Sequence, residues 1–191
     1  MLFAMHSYDH SGHLSVNSNI CLIGLMGSGK STVGPLLACS LGYPFVDLDQ
    51  EIAASLGRSI AEIFEQYGEK RFRQEEHDQL LRFCRQHRQV IACGGGVVVT
   101  PDNLECLQQQ TTVYLETSPA TLALRVGADQ GRPLLKDAAS VTRRMESILK
   151  EREQLYRACA GIIISTEGKE PAELVEDLLI KISADIQAQA P

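Results

Sequence analysis

The chain contains no apolar run long enough to span a membrane, and residues 1–18 lack the basic start and hydrophobic centre of a signal peptide. It also has no excess of positive charge, since its formal net charge is −6. Nucleic acids and anionic membranes both require a basic face. We therefore expect a cytoplasmic protein that acts on small molecules, without a nucleic-acid or membrane partner. We also expect a monomer.

Paired cysteine spacings, internal repeats and low-complexity tracts are also missing. The six cysteines stand singly, mostly in apolar contexts, so they indicate buried, reduced thiols in a reducing compartment rather than zinc ligands or a redox dithiol. With 191 residues, 44% of them hydrophobic, the chain can bury one sizeable core. We expect a single domain over residues 19–191 behind a flexible leader of residues 1–18.

The strongest motif is Gly-Leu-Met-Gly-Ser-Gly-Lys-Ser-Thr at residues 24–32, which fits the P-loop pattern. A short apolar run at residues 19–23 precedes it, and residues 33–41 have helical periodicity, so strand, loop and helix follow in the required order. Such a loop turns backbone N–H groups and a helix N-terminus towards phosphate. Lys30 would reach the β- and γ-phosphates and Ser31 would hold Mg²⁺. The predicted nucleotide-binding residues in this motif are Gly27, Ser28, Gly29, Lys30, Ser31 and Thr32.

Two aspartates follow the next short strand, at residues 44–47. Because residues two apart in an extended chain point to the same face, Asp47 and Asp49 are expected to project together at the carboxyl end of that strand. Open α/β sheets bind their ligands at that edge. An N-cap for the following helix is the alternative explanation for one of the two.

A capping box at residues 59–62 opens a helix that Gly68 interrupts, and a longer helix follows over about residues 69–86. Its apolar periodicity places Arg73 on the inward face. Glu76, three residues on, could pair with Arg73 structurally, and binding of an anionic ligand is an equally good explanation.

Three consecutive glycines, residues 94–96, end the apolar strand at residues 90–93. We expect them to let the backbone approach a ligand closely, and a plain tight turn is the alternative.

Residues 127–139 have neither strand nor helix periodicity, and long patternless stretches in compact domains are often lids. Gly127 and Gly131 could act as hinges. Arg132 would then lie over the bound nucleotide and meet charge on the transferred phosphoryl group, unless it is simply an exposed arginine without a function.

The helix predicted over residues 141–158 carries Arg152 within its apolar stripe. A guanidinium there faces the interior or a cleft, and we favour a ligand carboxylate over an internal salt bridge as its partner.

A helix over residues 171–184 closes the chain. The alternation of strands and helices predicts an α/β fold with helices on both sides of a five-stranded parallel sheet, whose strands lie at residues 19–23, 44–47, 90–93, 112–115 and 161–165.

Taken together, these segments resemble shikimate kinases in their order and spacing, over about residues 19–184. The resemblance implies a P-loop NTPase fold akin to nucleoside monophosphate kinases, with substrate-binding helices at about residues 49–86 and a lid at about residues 127–139. The segments that carry it are residues 24–32, residues 47–49, residues 57–60, Phe72 and Arg73 with Glu76, residues 94–96, residues 132–135, and Arg152 with Leu155 and Tyr156.

What the resemblance implies is transfer of the γ-phosphate of ATP, with Mg²⁺, to the 3-hydroxyl of shikimate, giving shikimate 3-phosphate and ADP in chorismate and aromatic amino-acid biosynthesis. It also implies a role for each matching residue. On the acid side, Arg73 and Arg152 would hold the shikimate carboxylate, and Gly95 and Gly96 would contribute backbone contacts. Asp49 would hold the hydroxyls and be the candidate base. On the nucleotide side, Asp47 would support Mg²⁺ through its water, Arg132 would lie at the phosphates, and Arg125 would lie beside the adenine.

Two other functions stay open at this point. A related P-loop kinase for another hydroxy acid, such as gluconate, would have the same loop, and the arginine pair and the position of Asp49 argue for shikimate instead. A catalytically silent nucleotide-binding module should have lost Lys30, Asp49 or an arginine, and all of them are present.

Overall fold

The computed structural model describes residues 18–129 and 138–189. Its centre is one sheet of five strands in the order β2-β3-β1-β4-β5, with every neighbouring pair parallel. The predicted five-stranded parallel sheet is confirmed. The strands are β1 (Ile20–Ile23), β2 (Phe45–Asp47), β3 (Val90–Ala92), β4 (Thr111–Glu116) and β5 (Ile162–Ser165).

Helices cover both faces of this sheet. They are α1 (Lys30–Leu41), α2 (Leu48–Leu56), α3 (Ile60–Cys84), α4 (Pro101–Gln108), α5 (Pro119–Asp129), α6 (Ala138–Cys159) and α7 (Pro171–Gln189), with a 3₁₀ turn at Val97–Val99.

The alternation of side chains along β1 divides the core into two layers. Ile20 and Leu22 point to the face covered by α1 and α7, and Cys21 and Ile23 point to the face covered by α3, α4 and α6. All four side chains are fully buried. A strand that is apolar on both faces is typical of the centre of a parallel sheet, and β1 is the central strand here.

Several helix ends are where the sequence predicts them. The Ser59–Glu62 capping box is present, since each side chain bonds the other residue's backbone N–H. Gly68, with φ 75°, kinks α3 as expected. Because α7 continues to Gln189, the last helix is longer than predicted.

The patternless stretch is shorter than residues 127–139, because α5 continues to Asp129 and α6 begins at Ala138. Gly127 therefore lies within a helix and not in a loop, where we expected a hinge. Gly131, Arg132 and the leader up to residue 17 lie outside the described residues, and Ser18 is described and bonds Thr111.

The cysteines correct one expectation. All six are free, but Cys39 is exposed and Cys84 and Cys106 are only half-buried. Burial therefore applies to three of the six and not to all. In residues 18–129 and 138–189, no helix is long and apolar enough to cross a membrane.

Candidate active site

A cavity of about 620 Å³ opens at the carboxyl ends of the strands. Parallel α/β sheets place their ligand sites at this edge, because the loops that follow the strands converge there. Ten of the residues predicted to form the site line the cavity: Gly27, Ser28, Gly29, Lys30, Ser31, Thr32, Asp47, Asp49, Gly95 and Arg125.

The P-loop joins β1 to α1 at one side of this cavity. Gly27 and Gly29 have φ of 80° and 99°, which a residue with a Cβ rarely adopts. Gly29 caps α1, and the helix begins at Lys30. The N-terminus of α1 therefore brings the positive end of its dipole to the cavity, as a phosphate site requires.

Lys30 is almost completely buried within this loop. Its ammonium donates to the carbonyl oxygens of Gly24 at 2.8 Å and Leu25 at 3.0 Å. Burial lowers the pKa of Lys30 to about 8, and the nearby carboxylate of Asp49 opposes that shift. A third hydrogen bond joins the Lys30 ammonium to Ser28 Oγ at 3.4 Å, so Lys30 is a cation whose three partners are all neutral, and a phosphate would be a stronger partner.

Asp47 has a different geometry from the one expected. It ends β2 and is the N-cap of α2, because its Oδ1 accepts from the N–H groups of Asp49 at 3.1 Å and Gln50 at 3.4 Å. Asp49 lies in the first helical turn, so the argument from an extended chain was wrong and the N-cap alternative was right for Asp47. The other oxygen of Asp47 accepts a hydrogen bond from Ser31 Oγ at 2.8 Å.

Asp49 reaches the cavity from the first turn of α2. Burial raises the pKa of its carboxyl group, and the charge of Asp47 raises it further, while Lys30 and Arg73 act in the opposite direction. A carboxylate whose proton affinity is increased in this way is suited to accept a hydrogen bond or a proton from a substrate hydroxyl.

Arg73 lies on the inward side of α3, as its position in the apolar pattern predicts. Its guanidinium donates to Glu76 Oε2 at 2.6 Å and to Glu69 Oε1 at 3.1 Å. Glu76 is fully buried, and burial raises the pKa of its carboxyl group while Arg73 opposes the shift. The structural pair with Glu76 is therefore present, and it fixes the guanidinium beside the glycine run.

Charged side chains pack against the backbone of the glycine run at Gly94 and Gly96. A Cβ on Gly94 would lie 2.5 Å from Glu76 Oε1 and 2.9 Å from Asp49 Oδ1, and a Cβ on Gly96 would overlap the Arg73 guanidinium. None of the three glycines has a positive φ, so a strained backbone is not the reason for them. The close approach that we expected to a ligand is, in the described structure, an approach to these side chains.

Arg152 approaches the same run from α6. Its Nη1 donates to Gly95 O at 3.1 Å. In the described part of the chain no salt bridge joins Arg152 to a carboxylate, so the internal ion pair considered as its alternative partner is not found there. Two guanidinium groups, from α3 and α6, thus meet at one glycine run that borders the P-loop cavity.

The chain is similar in sequence to proteins of one known family. The family model described as shikimate kinase matches residues 26–183. A shikimate kinase from Synechococcus sp. (strain RCC307) is 40% identical over 190 residues, which is 96% of this chain and 95% of the relative.

The chain belongs to the shikimate kinase family.

The solved structures agree with this membership. The shikimate kinase from Acinetobacter baumannii in complex with shikimate superposes with a TM-score of 0.81 at 36% identity, covering 89% of this chain and 95% of that one. A gluconokinase from Sinorhizobium meliloti has a TM-score of 0.58 at 18% identity, covering 92% of this chain and 98% of that one. The second similarity is evidence for a shared fold alone, so it gives no support to the gluconate alternative.

Arg125 lines the same cavity beside Thr166, the residue that follows β5. Its guanidinium donates to Gly27 O at 3.3 Å and to Thr166 Oγ1 at 3.2 Å. The cavity is also lined by Thr166, Lys169, Glu170, Pro171 and Leu174, of which Thr166 and Leu174 were not predicted from the sequence. These residues form no recognisable sequence motif. Only the order of the strands, with β5 beside β4, could have indicated that this segment lines the cavity.

Proposed function

We propose that the protein transfers the γ-phosphate of ATP to the 3-hydroxyl of shikimate, giving shikimate 3-phosphate and ADP. The observation that carries this proposal is the convergence of Arg73 and Arg152 on the glycine run beside the P-loop. Planar guanidinium groups suit a carboxylate because they can donate two parallel hydrogen bonds to it. The acceptor is therefore a hydroxylated carboxylic acid, and family membership favours shikimate.

The nucleotide occupies the cavity with its phosphates on the P-loop. Backbone N–H groups of residues 27–32 and the N-terminus of α1 bind the phosphates, and Lys30 turns from the loop carbonyls to the β- and γ-phosphates. Arg125 lies beside the adenine, at the end of the cavity lined by Thr166 and Pro171. Arg132, outside the described residues, is assigned to the phosphates as a lid residue.

Mg²⁺ fits the donors that the cavity offers. Ser31 Oγ, in the first turn of α1, lies 2.8 Å from the Asp47 carboxylate at the end of β2. No group of three or more His, Cys, Asp or Glu side chains suited to a metal lies in the described residues, but Mg²⁺ usually needs only one or two carboxylates together with waters and substrate phosphates. When bound, it would neutralise charge that develops on the phosphates.

Asp49 is the residue proposed to act on the acceptor. It would accept the hydrogen bond of the substrate hydroxyl and take its proton as the phosphoryl group is transferred. The groups that flank it are consistent with this role, since burial and Asp47 raise the pKa of its carboxyl group. Arg73 and Arg152 would bind the carboxylate of the acid, and Gly95 and Gly96 would line its binding site.

The proposed reaction needs a single copy of the chain, because α1, α2, α3 and α6 of one chain supply both halves of the site. We therefore propose a monomer. We also propose that the enzyme acts in the cytoplasm, where shikimate is phosphorylated for aromatic amino-acid biosynthesis, and its free cysteines are compatible with that compartment.

Coupled measurement of ADP release tests the proposal. The purified chain is assayed with ATP and Mg²⁺ against shikimate, gluconate and a buffer control. We expect turnover that depends on shikimate and is absent with gluconate. Turnover with gluconate alone would support the alternative kinase, and ADP release that no acid stimulates would leave only a nucleotide-binding protein.

A further inference from the structure

Tyr156 contacts the same glycine run as Arg152. Its hydroxyl donates a hydrogen bond to Gly95 O, with 2.5 Å between the two oxygens, and Arg152 Nη1 donates to the same carbonyl at 3.1 Å. The two residues are four positions apart in α6, so both project from one face of the helix. The Gly95 carbonyl therefore has two donors, one neutral and one charged.

The Gly95 peptide is held from the opposite side as well. A Cβ on Gly95 would lie 3.3 Å from Met26 N, so this peptide packs directly against the P-loop backbone. The Tyr156 hydroxyl thus fixes a peptide that lies between α6 and the phosphate-binding loop.

The tyrosine itself has little freedom to move. Tyr156 is fully buried, and its ring stacks on that of Tyr114 with 5.0 Å between ring centroids and 19° between the planes. Burial raises the pKa of the Tyr156 hydroxyl well above its ordinary value, so the hydroxyl stays protonated and remains a donor at physiological pH.

Resting on the proposed function, we propose that Tyr156 is a positioning residue that holds the Gly95 carbonyl in place and frees the Arg152 guanidinium to bind the carboxylate of the acceptor. A carbonyl oxygen has two lone pairs, and a buried carbonyl left without its neutral donor attracts a nearby cation more strongly. Without the hydroxyl, the existing hydrogen bond from Arg152 to Gly95 O becomes stronger and holds the guanidinium away from the substrate. Tyr156 therefore acts on the acid through Arg152, and within the described residues no hydrogen bond joins its hydroxyl to the P-loop.

The test is the variant Tyr156→Phe, with Tyr114→Phe as its matched control. Both variants remove one hydroxyl from the same ring stack, but in the described part of the chain no hydrogen bond joins the Tyr114 hydroxyl to the glycine run. We expect Y156F to raise the KM for shikimate roughly ten-fold, the effect of losing one well-placed hydrogen bond, while the KM for ATP stays unchanged. Y114F should change neither KM.

A second measurement covers the case in which Y156F folds poorly. Titration calorimetry with shikimate, normalised to the sites that bind ADP in the same sample, reports on folded molecules only. The inference also predicts that Y156F has a smaller effect in the Arg152→Lys background, because the lysine lacks the planar fork that the tyrosine frees.

An equal rise of both KM values, an unchanged KM for shikimate, or the same selective loss in Y114F would each overturn the inference. These outcomes differ from failure of the proposed function, in which the wild-type chain itself shows no turnover with shikimate. In that case the inference fails with the function on which it rests.

Discussion

Arg73 donates to Glu76 Oε2 at 2.6 Å, and the other oxygen of this fully buried carboxylate has no hydrogen-bond partner within the described residues. Arg73 is thus the main group that stabilises the buried negative charge of Glu76. This pair forms one wall of the proposed acid site, because Gly94 packs against Glu76 and Gly96 against Arg73.

Removal of Arg73 should destabilise the fold. We expect Arg73→Ala to lower the free energy of unfolding by about 3 kcal/mol at neutral pH, because Glu76 is left as an unpaired buried charge. Denaturant unfolding measures the loss. Arg71→Ala is the control, since Arg71 is half-exposed and its pair with Glu75 lies nearer the surface of the same helix than the Arg73–Glu76 pair, so its loss should change stability less.

The pH dependence of that loss follows from Glu76. In the Arg73→Ala variant burial raises the folded-state pKa of this carboxyl above its unfolded value. The penalty is therefore complete above the folded-state pKa and declines as the pH falls through it. The difference from wild type should shrink towards acid pH, and adding Glu76→Gln should recover part of the stability. A difference that grows on acidification would contradict this explanation.

Arg152 should affect the binding of shikimate and not the binding of ATP. Arg152→Ala is expected to raise the KM for shikimate about 30-fold or more while the KM for ATP changes little, because a hydrogen-bonded charge pair with the substrate is lost. Steady-state kinetics with each substrate varied in turn separates the two effects. Arg157→Ala, on the same helix but paired at the surface with Glu116 and Glu153, should leave both constants unchanged. Equal effects of R152A on both substrates would argue against a carboxylate site.

Asp49 should affect the chemical step. Asp49→Asn is expected to lower kcat at least about 100-fold with little change in the KM for ATP, since the amide retains the shape but accepts no proton. Glu51→Gln, in the same helix, is the control. Because burial and Asp47 raise the pKa of Asp49, the acid limb of kcat/KM should lie above the range of an ordinary aspartate. A kcat close to wild type in D49N would show that proton transfer to this residue is not needed.

Lys30 should link nucleotide binding to proton uptake. Its pKa of about 8 in the free protein rises when phosphate becomes its partner, so binding above pH 8 takes up a proton at this residue. We expect ADP affinity to fall as the pH rises through 8. Calorimetry in two buffers of different ionisation enthalpy, with Mg²⁺ present, measures the uptake, which should be small at pH 7 and larger at pH 8.5. The same uptake at both values would exclude Lys30 as its source.

The elements with a local cause could be predicted from the sequence. The P-loop, the Ser59 capping box and the kink at Gly68 each depend on a few neighbouring residues, and the strands were visible as short apolar runs. Arg73 and Arg152 could be predicted to face inward, because each lies within the apolar stripe of its helix and that stripe packs towards the core.

The remaining features depend on contacts between distant segments. From the sequence, Asp47 could be the N-cap of α2 or part of an extended strand end. The hydrogen bonds that its side chain accepts from the N–H groups of Asp49 and Gln50 decide for the N-cap. The reason for Gly94 and Gly96 is the side chains of α2 and α3, which no local pattern reveals. Thr166 lines the cavity because β5 lies beside β4, and Tyr156 was visible only as a buried aromatic until its hydroxyl was found on Gly95.

The most direct test of the central claim is identification of the product. Shikimate and ATP are incubated with the enzyme and Mg²⁺, and the mixture is followed by ³¹P and ¹H magnetic resonance. We predict one new phosphate ester, coupled to the proton on carbon 3 of shikimate and formed in equal amount to ADP. Phosphate at another hydroxyl, or ADP accumulating with inorganic phosphate and no ester, would contradict the claim.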